Sequence, residues 1–268
     1  MLCQFTVKNF KSIRDEVTFD MQAAAISEHE DRIIIDKDEE KYLPVSAIYG
    51  PNGGGKSNVL AALHTLVAKV LRPLFATEDS EEKVLLQKKI IVEPFVFSES
   101  KDEPTEFELF FRTAVSEYRY ILHVKRELVL YESLDRVKLE TGRKSALFTR
   151  DENGIVLKGA FAKLKVSDEL SKTLTLLSYL GIAYKGNAVV KDVLSWFEYG
   201  IEFLNYGNPI QELRMAVSTS EEVKQLMLQM IQEMDLDIVD FRVEEKENER
   251  IDIFTKHCVD DVETEINL

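Results

Sequence analysis

Apolar and polar residues alternate along the first part of the chain, and this pattern predicts β-strands. In the opening run "CQFTVKNF", Phe5 and Val7 fall on one face, and a second alternating run, "VTFDM", follows a turn at "KNFKSIRD". We therefore expect the chain to begin with a β-hairpin. Further strands are predicted at "IIVEPFVF", "TEFELFF", "YRYILHV" and "ELVLYESL", and "ALFTRDENGIVLK" predicts a hairpin that turns at Asn153 and Gly154.

One short run differs from these because it lacks the polar alternation. The segment "VSAIYG", residues 45–50, is apolar apart from Ser46, which is typical of a strand buried on both faces. It leads into a glycine-rich stretch, after which apolar residues recur at helical spacing from Val59 to Val70. Pro73 is expected to end this helix, because proline cannot donate the backbone hydrogen bond that continues it.

The pattern becomes helical from about Ser167 onward. Ser167 is predicted to cap a helix over "DELSKTLTLLSYL" that stops at Gly181, and Asn187 to open a second helix that ends at Gly207. A capping box at Thr219 predicts a third helix. We interpret the methionine-bearing face of this third helix as a packing surface, with a docking face for a partner as the alternative.

The order of these elements predicts the fold class. Strand patterns return at "IVDFRVEE" and "RIDIFTKH" after the helical block. Strands, then helices, then strands predict an α/β protein in which a helical insertion interrupts one domain. We expect a mixed-sheet lobe over residues 1–165, the helical insertion over 166–235, and strands that return to the first domain over 236–268.

Composition narrows the class of protein. The 268 residues carry a formal net charge of −14, which argues against broad non-specific nucleic-acid binding while leaving a local basic groove open. The two cysteines, Cys3 and Cys258, are far apart, so neither a disulfide framework nor a cysteine zinc site is expected. The N-terminus lacks the apolar core of a signal peptide, and "LTLLSYLGIAY" is too short to span a bilayer. We expect a soluble, cytoplasmic protein.

The glycine-rich stretch satisfies a phosphate-binding motif in full. "GPNGGGKS", from Gly50 to Ser57, matches GxxxxGK[ST] and stands between a predicted buried strand and an amphipathic helix, where its chemistry requires it. Small residues let successive backbone amides turn towards an anion at the positive end of the following helix. Lys56 is predicted to reach the β- and γ-phosphates, and the Ser57 hydroxyl to bind Mg²⁺. The sequence therefore predicts nucleotide binding.

The second acidic element of a hydrolysing P-loop protein is not evident. A run of four apolar residues that ends in Asp-Glu would orient Mg²⁺ and activate water, and the sequence contains none. The nearest run, "LDIVD" ending at Asp240, reads better as an alternating strand. The acidic group of Asp260, Asp261, Glu263 and Glu265 is interpreted as a solvated turn, with a metal site as the alternative. No NKxD sequence is present, which counts against a GTPase.

The chain resembles a known family in two groups of segments. "FTVKNFKSI" followed by "GPNGGGKSN" resembles the N-terminal half of ABC-type ATPases related to SMC and RecF proteins. The succession "EPFVF", "PTEFELFF", "YRYILHV", "VLYESL" and "LFTRD" resembles bacterial AAA-type, SMC-like ATP-binding proteins of phage-defence and abortive-infection systems. The resemblance runs from Phe5 to about Leu268. It implies an ABC/SMC-like P-loop NTPase fold, with ATP and Mg²⁺ as cofactors.

The resemblance also implies site residues. Lys11 and Ser12, at the turn of the first hairpin, match a position that contacts the nucleotide in relatives, with a plain exposed turn as the alternative. Asn52 is expected to shape the phosphate site, and Asn58 either to join it or to cap or pack. The residues predicted to bind ATP are Lys11, Ser12, Gly50, Asn52, Gly53, Gly54, Gly55, Lys56, Ser57 and Asn58, of which Ser57 also binds the metal. No catalytic residue is assigned.

Further residues of the family's active site are implied to lie in a second lobe. The signature motif is expected to begin about where the sequence reaches "VETEINL", so hydrolysis is expected to need further sequence or another chain. Gln87 and Glu132 are weak candidates for the glutamine that senses Mg²⁺ between lobes. His257 is interpreted as a structural or surface histidine and not as the switch histidine, which is expected beyond Walker B.

Three functions follow as hypotheses. The first is an SMC-like ATPase subunit, whose heads form a homo-oligomer around ATP and control an effector protein such as a nuclease in antiviral defence. The second is a non-hydrolysing ATP-binding module that holds an assembly in shape. The third, a small-molecule kinase, is weaker because no lid and no substrate-binding arginines can be assigned. The sequence leaves nucleic-acid contact open, and no membrane partner is expected.

Overall fold

The structure is a computed structural model that describes residues 1–25, 30–75, 90–97, 99–167, 170–203, 221–233, 238–245, 251–259 and 262–267. Its contacts divide the chain into two compact units, Met1–Glu202 and Phe203–Leu268. The predicted boundaries were residues 165/166 and 235/236. The difference arises because the first two helices of the predicted insertion pack on the helix that follows the glycine loop, and so belong to the first unit.

A seven-stranded antiparallel sheet forms the frame of the first unit. Its strand order is β2-β1-β5-β6-β7-β8-β9, so the chain's first strand pairs with both β2 and β5. The strands are β1 (Leu2–Lys8), β2 (Val17–Asp20), β5 (Thr105–Arg112), β6 (Ser116–Lys125), β7 (Leu128–Lys138), β8 (Lys144–Asp151) and β9 (Gly154–Leu157). The predicted opening hairpin and four of the predicted strand regions are therefore present. A two-stranded hairpin, β3 (Ile34–Ile35) with β4 (Lys41–Tyr42), lies between β2 and the glycine loop in sequence.

The sheet buries one face because its side chains alternate. In β5 the alternate residues Phe107, Leu109 and Phe111 are buried, and β6 continues the same face with Tyr118 and Tyr120. This buried face is where the helices pack. The hairpin of β8 and β9 turns at residues 152 and 153, one residue before the predicted position.

Helix α1 (Lys56–Phe75) is the central helix of the unit. Its apolar residues from Val59 to Val70 form the predicted buried stripe, and it packs against β1 and against two later helices. Pro73 lies inside the helix, two positions before its last residue, and does not end it as predicted. Among the described residues α1 is the one helix long and apolar enough to cross a membrane, and its buried stripe marks it as a core helix.

The next two helices cover the same face of the sheet. Helix α2 (Leu176–Ala183) and helix α3 (Ala188–Tyr199) pack on each other and on α1. Trp196 of α3 stacks on Phe111 of the sheet with ring centroids 4.5 Å apart, and Phe197 meets Tyr120 edge-on at 5.9 Å. The prediction that Asn187 opens a helix is confirmed, since its side chain accepts from the Val189 and Val190 amides. The predicted end at Gly207 is wrong, because the helix ends at Tyr199 and Gly200 is its C-cap.

Helix α2 begins later than predicted. Ser167 does not cap it; Thr175 is the N-cap, and its side chain accepts from the Ser178 amide. Arg150 holds the preceding segment out of helical conformation by donating to the carbonyls of Leu174 (2.7 Å) and Ser171 (3.0 Å). Gly181 lies within the helix and does not stop it.

Two predicted strands do not form. Residues 45–50, predicted as a strand buried on both faces, have no regular secondary structure, and the side chains of Val45 and Tyr49 are 77% and 90% exposed. An apolar strand is buried only where neighbouring strands flank it, and the described sheet has none beside these residues. Within residues 90–97 the predicted strand is reduced to an isolated bridge between Val92 and Arg126.

The second unit contains one helix and a small sheet among its described residues. Helix α4 (Glu221–Glu233) matches the predicted third helix and packs against β10, while Thr219 of the predicted capping box lies outside the described residues. The three-stranded antiparallel sheet has the order β10 (Ile238–Glu245), β11 (Ile251–Val259) and β12 (Val262–Asn267). The last of these strands was not predicted.

Candidate nucleotide-binding site

The glycine loop leads directly into the N-terminus of α1. Helix α1 begins at Lys56, so the motif supplies both the loop and the first helical residues. Gly53 and Gly55 have backbone φ angles of 77° and 82°, which residues that have a Cβ rarely adopt. The loop is closed by hydrogen bonds from the Gly54 amide to the Pro51 carbonyl (3.1 Å) and from the Asn58 amide to the Gly55 carbonyl (2.9 Å).

The donors of this loop fit a phosphate group. Lys56 folds back so that its Nζ donates to the carbonyls of Gly50 (2.7 Å) and Pro51 (2.8 Å), which places the ammonium group over the loop. The first amides of α1 add the positive end of a twenty-residue helix. Ser57 is exposed at this point, so its hydroxyl is accessible to a metal ion bound beside the phosphates. These residues would hold ATP and Mg²⁺, and the metal would supply positive charge next to the phosphate oxygens.

The turn between β1 and β2 lies against the same loop. Ser12 Oγ accepts a hydrogen bond of 2.7 Å from Asn58 Nδ2, and a Cβ at Gly55 would lie 3.1 Å from the same oxygen. Lys11 is exposed beside it and has a left-handed backbone with φ 49°. Its amide donates to the carbonyl of Glu93 at 2.9 Å. The structure therefore brings Lys11 and Ser12 next to the glycine loop, far from them in sequence.

Asn9 fixes this turn, and the sequence analysis did not single it out. It is fully buried with φ 56°, and its Nδ2 donates to the carbonyls of Ser100 (2.7 Å) and Glu103 (3.0 Å). Its Oδ1 accepts from the Phe95 amide at 2.9 Å. Asn tolerates left-handed backbone better than most residues, and an Asn at a tight turn was the available signal. Its partners, about ninety residues away, were not visible in the sequence.

The remaining loop candidates lie at the rim. Asn52 is exposed, as are the neighbouring residues of the loop from Gly50 to Gly54. Asn58 both bonds Ser12 and stands in the first turn of α1, so it connects the two walls of the site. The structure thus gathers the motif residues and the β1–β2 turn into one exposed surface.

Glu132 has a structural role, and its carboxylate does not sense a metal ion. It is fully buried on β7, and its carboxylate accepts from the amides of Leu176 (2.6 Å) and Leu177 (2.9 Å) and from the Tyr120 hydroxyl (2.9 Å). Burial raises the pKa of Glu132, and these three donors oppose that rise. The carboxylate therefore satisfies the first amides of α2.

The acidic candidates of the second unit are engaged in surface pairs. Asp240 accepts from Lys224 at 3.0 Å, and this contact lowers the pKa of the carboxyl. Glu263 pairs with Lys256 at 2.6 Å, and Glu265 pairs with Arg242. Nowhere in the described part of the chain do three or more His, Cys, Asp or Glu side chains gather as a metal site would require. Gln87, Asp260 and Asp261 lie outside the described residues.

His257 lies on β11, as a strand residue of the second unit. Its Nε2 is 3.0 Å from the Thr255 hydroxyl, which is buried. This contact agrees with the interpretation of His257 as a structural histidine.

Comparison with known proteins places the loop in a family. A family model described as "AAA domain, putative AbiEii toxin, Type IV TA system" matches residues 45–206, which include the glycine loop and helices α1 to α3. No curated protein matches the chain. The matched region covers more than half of the sequence and contains the motif residues that the structure gathers around the N-terminus of α1. The chain therefore belongs to this family of P-loop AAA domains of toxin–antitoxin and abortive-infection systems.

Proposed function

We propose that this protein is the ATP-binding subunit of an SMC-like ATPase that acts in bacterial phage defence. In this proposal the amides of residues 53–57 and Lys56 hold the phosphates, and Ser57 holds Mg²⁺. Two such heads form a homo-oligomer around ATP, and its formation controls an effector protein such as a nuclease. The setting is the bacterial cytoplasm.

The observation that carries the proposal is the contact between the β1–β2 turn and the glycine loop. A phosphate-binding loop by itself is compatible with many P-loop enzymes. Here Asn58 of α1 donates to Ser12 of the turn at 2.7 Å, so Lys11 and Ser12 lie beside the glycine loop. Such a turn can contact the base or ribose of a nucleotide whose phosphates occupy the loop. The pairing of these two segments is the one that the resemblance to SMC-like ATPases implies.

The exposed segment before the loop supports completion of the site by a further element. Val45, Ile48 and Tyr49 are 77%, 37% and 90% exposed, although they form an apolar run that leads into the phosphate loop. Exposed contiguous apolar surface next to a binding site is typical of an interaction surface. We propose that a second lobe or a partner head covers this segment and supplies the groups that hydrolyse ATP.

The test of the nucleotide site is Lys56→Ala. We expect this variant to lose ATP binding, measured by isothermal titration calorimetry with Mg²⁺, because the loop loses its one ammonium group over the phosphates. Its circular dichroism spectrum and melting temperature should match the original protein, since Lys56 bonds only exposed carbonyls. Lys191→Ala, an exposed lysine of α3, is the matched control. Unchanged ATP affinity in Lys56→Ala would show that the nucleotide site is elsewhere.

The alternative is an ATP-binding module that does not hydrolyse ATP. Two acidic residues that were considered for contacts with Mg²⁺ favour it, because both are bound elsewhere. Glu132 bonds the start of α2, and Asp240 pairs with Lys224. Turnover assays distinguish the two hypotheses. Hydrolysis together with an ATP-dependent increase in mass, measured by light scattering, supports the ATPase. Tight ATP binding without either change supports the module.

A further inference from the structure

A cavity of about 740 Å³ lies at the opposite end of the seven-stranded sheet from the glycine loop. The loop is next to the end of β1, where Lys8 pairs with Glu106 at the start of β5, and the cavity is next to the turn after β5. Its volume is within the usual range for small-molecule sites. The turn between β5 and β6, the end of β7 and the first turn of α3 form its walls.

The cavity has a cationic polar side. Lys37, Arg136 and Lys138 line it, together with Asp192 and Glu140. Asp192 is already engaged, because its carboxylate accepts from the hydroxyls of Tyr118 (2.7 Å) and Thr113 (3.0 Å). The lining therefore carries one more positive charge than negative in a chain whose net charge is −14. A local excess of cations on an acidic protein is suited to an anionic ligand.

Arg136 contributes to this lining a buried donor atom that has no hydrogen-bond partner. Its Nε is buried and makes no hydrogen bond. A buried donor without an acceptor destabilises the folded state, and native proteins leave few of them. Arg136 on β7 is the cross-strand partner of Tyr118 on β6, and both line the cavity. An acceptor that entered the cavity would satisfy Arg136.

The other side of the cavity is apolar. Val115 and Leu139 come from the two strand ends, and Ala188 and Val189 come from the start of α3. Val115 is 59% exposed, so a ligand could cover it without displacing other side chains. Ligand sites commonly combine such apolar walls with a few placed polar groups.

We propose that this cavity binds a small organic anion with an apolar body and a terminal phosphate or carboxylate. The acidic group binds Arg136 with Lys37 and Lys138 beside it, and the apolar body lies on Val115 and Val189. The site is separate from the glycine loop and does not depend on the function proposed for that loop.

Phenyl phosphate and benzoate are the probes, because they carry the same apolar ring with the two acidic groups. Binding can be followed by the fluorescence of Trp196, the single tryptophan of the chain, which lies one helical turn after Asp192 on α3. We expect saturable binding of at least one probe, with a dissociation constant in the millimolar range or tighter. Preference for phenyl phosphate would identify a phosphomonoester ligand, and preference for benzoate a carboxylate. Absence of binding by either probe would overturn the proposal.

Variants assign the binding to the cavity. Arg136→Gln should weaken the probe's affinity about tenfold or more, because a charge-assisted hydrogen bond is lost. Arg143→Gln, an exposed arginine in the neighbouring β7–β8 turn, is the matched control and should bind the probe normally. Arg136→Gln should also keep the melting temperature of the original protein or raise it, since the lost donor has no partner. Unchanged probe affinity in Arg136→Gln would overturn the proposal.

The glycine loop must be excluded as the source of the signal, because it also fits phosphate. Lys56→Ala should keep the affinity for phenyl phosphate and lose ATP, whereas Arg136→Gln should lose phenyl phosphate and keep ATP. Loss of phenyl phosphate binding in Lys56→Ala alone would mean that the probe occupies the loop, and the cavity proposal would then be wrong. Failure of ATP binding in the unaltered protein would contradict the proposed function and leave the cavity result standing.

Discussion

Ser12 is the residue that joins two distant segments at the candidate site. Its hydroxyl accepts from Asn58, and Gly55 approaches it so closely that any Cβ would lie 3.1 Å away. We expect Ser12→Ala to weaken ATP binding about fivefold, because an exposed hydrogen bond of about 1 kcal/mol that positions the turn is lost. Isothermal titration calorimetry measures this change. Ser195→Ala, which removes a hydroxyl from α3, should leave ATP affinity unaltered. Equal affinity in both variants would mean that the turn does not contribute to the nucleotide site.

At the residue scale, the sequence predicts those residues whose role depends on their near neighbours. The loop from Gly50 to Ser57 could be identified because its glycines, lysine and serine must stand at fixed spacing. Asn9 and Glu132 could not, because their roles depend on partners far along the chain. Asn9 bonds carbonyls near residue 100, and Glu132 bonds amides more than forty residues later. Residue type alone does not distinguish a buried polar residue that serves as a cap from an exposed one.

At the scale of elements, Gly181 is a residue whose role depends on contacts far along the chain. It was predicted to stop α2, but it lies within the helix, where a Cβ would meet Leu194 at 2.6 Å and Leu74 at 2.7 Å. Residues of α1, α2 and α3 therefore meet at this position. Glycine at this position permits a contact that a larger residue would block.

We expect Gly181→Ala to destabilise the protein by about 2 kcal/mol. The added methyl would overlap the side chains of Leu194 and Leu74, and overpacking of this kind outweighs the gain in helix propensity from alanine. Chemical denaturation followed by circular dichroism measures the change. Gly186→Ala is the matched control, because a Cβ there has no atom within 4 Å. A stabilised Gly181→Ala variant would show that the helices can separate without cost.

The elements that the sequence predicted correctly are those with an unambiguous period. Strands β5 to β9 alternate, and α3 has both a cap at Asn187 and an apolar stripe. The run at residues 45–50 has no period, and whether such a run is a buried strand depends on neighbours that the run itself does not specify. The start of α2 was displaced to Leu176 because Arg150 bonds the carbonyls of the residues before it. Long-range contacts decided both outcomes.

At the scale of the whole molecule, net charge affects the stability of the folded protein. A net charge of −14 means that carboxylates repel one another over most of the surface, so the places where cations offset them influence stability. Arg112 is such a place in the first unit. It is 5% exposed and bonds Asp36 (2.9 Å) and Asp38 (2.6 Å) near the β3–β4 hairpin and Glu117 (2.7 Å) on β6. It therefore fixes the hairpin to the main sheet.

This arrangement predicts how stability changes with pH. The Arg112 guanidinium holds the pKa of Asp38 below its usual value. A carboxyl whose pKa is lower in the folded state stabilises the protein above its unfolded pKa, which is about 3.9 for Asp. That contribution is lost as the pH falls through the folded-state pKa. Stability should therefore decrease below about pH 4 for this reason among others.

Arg112→Met isolates this contribution. At pH 7 the variant should be less stable by about 2 kcal/mol, because it leaves several partly buried carboxylates without their cation. The difference from the original protein should shrink as the pH falls below about 4, since protonated Asp38 no longer needs the guanidinium. Denaturation curves at several pH values measure both effects. Arg14→Met, which removes an arginine from an exposed pair with Asp15, should change stability little at either pH. A difference for Arg112→Met that stays constant with pH would mean that the arginine acts by packing and not by charge.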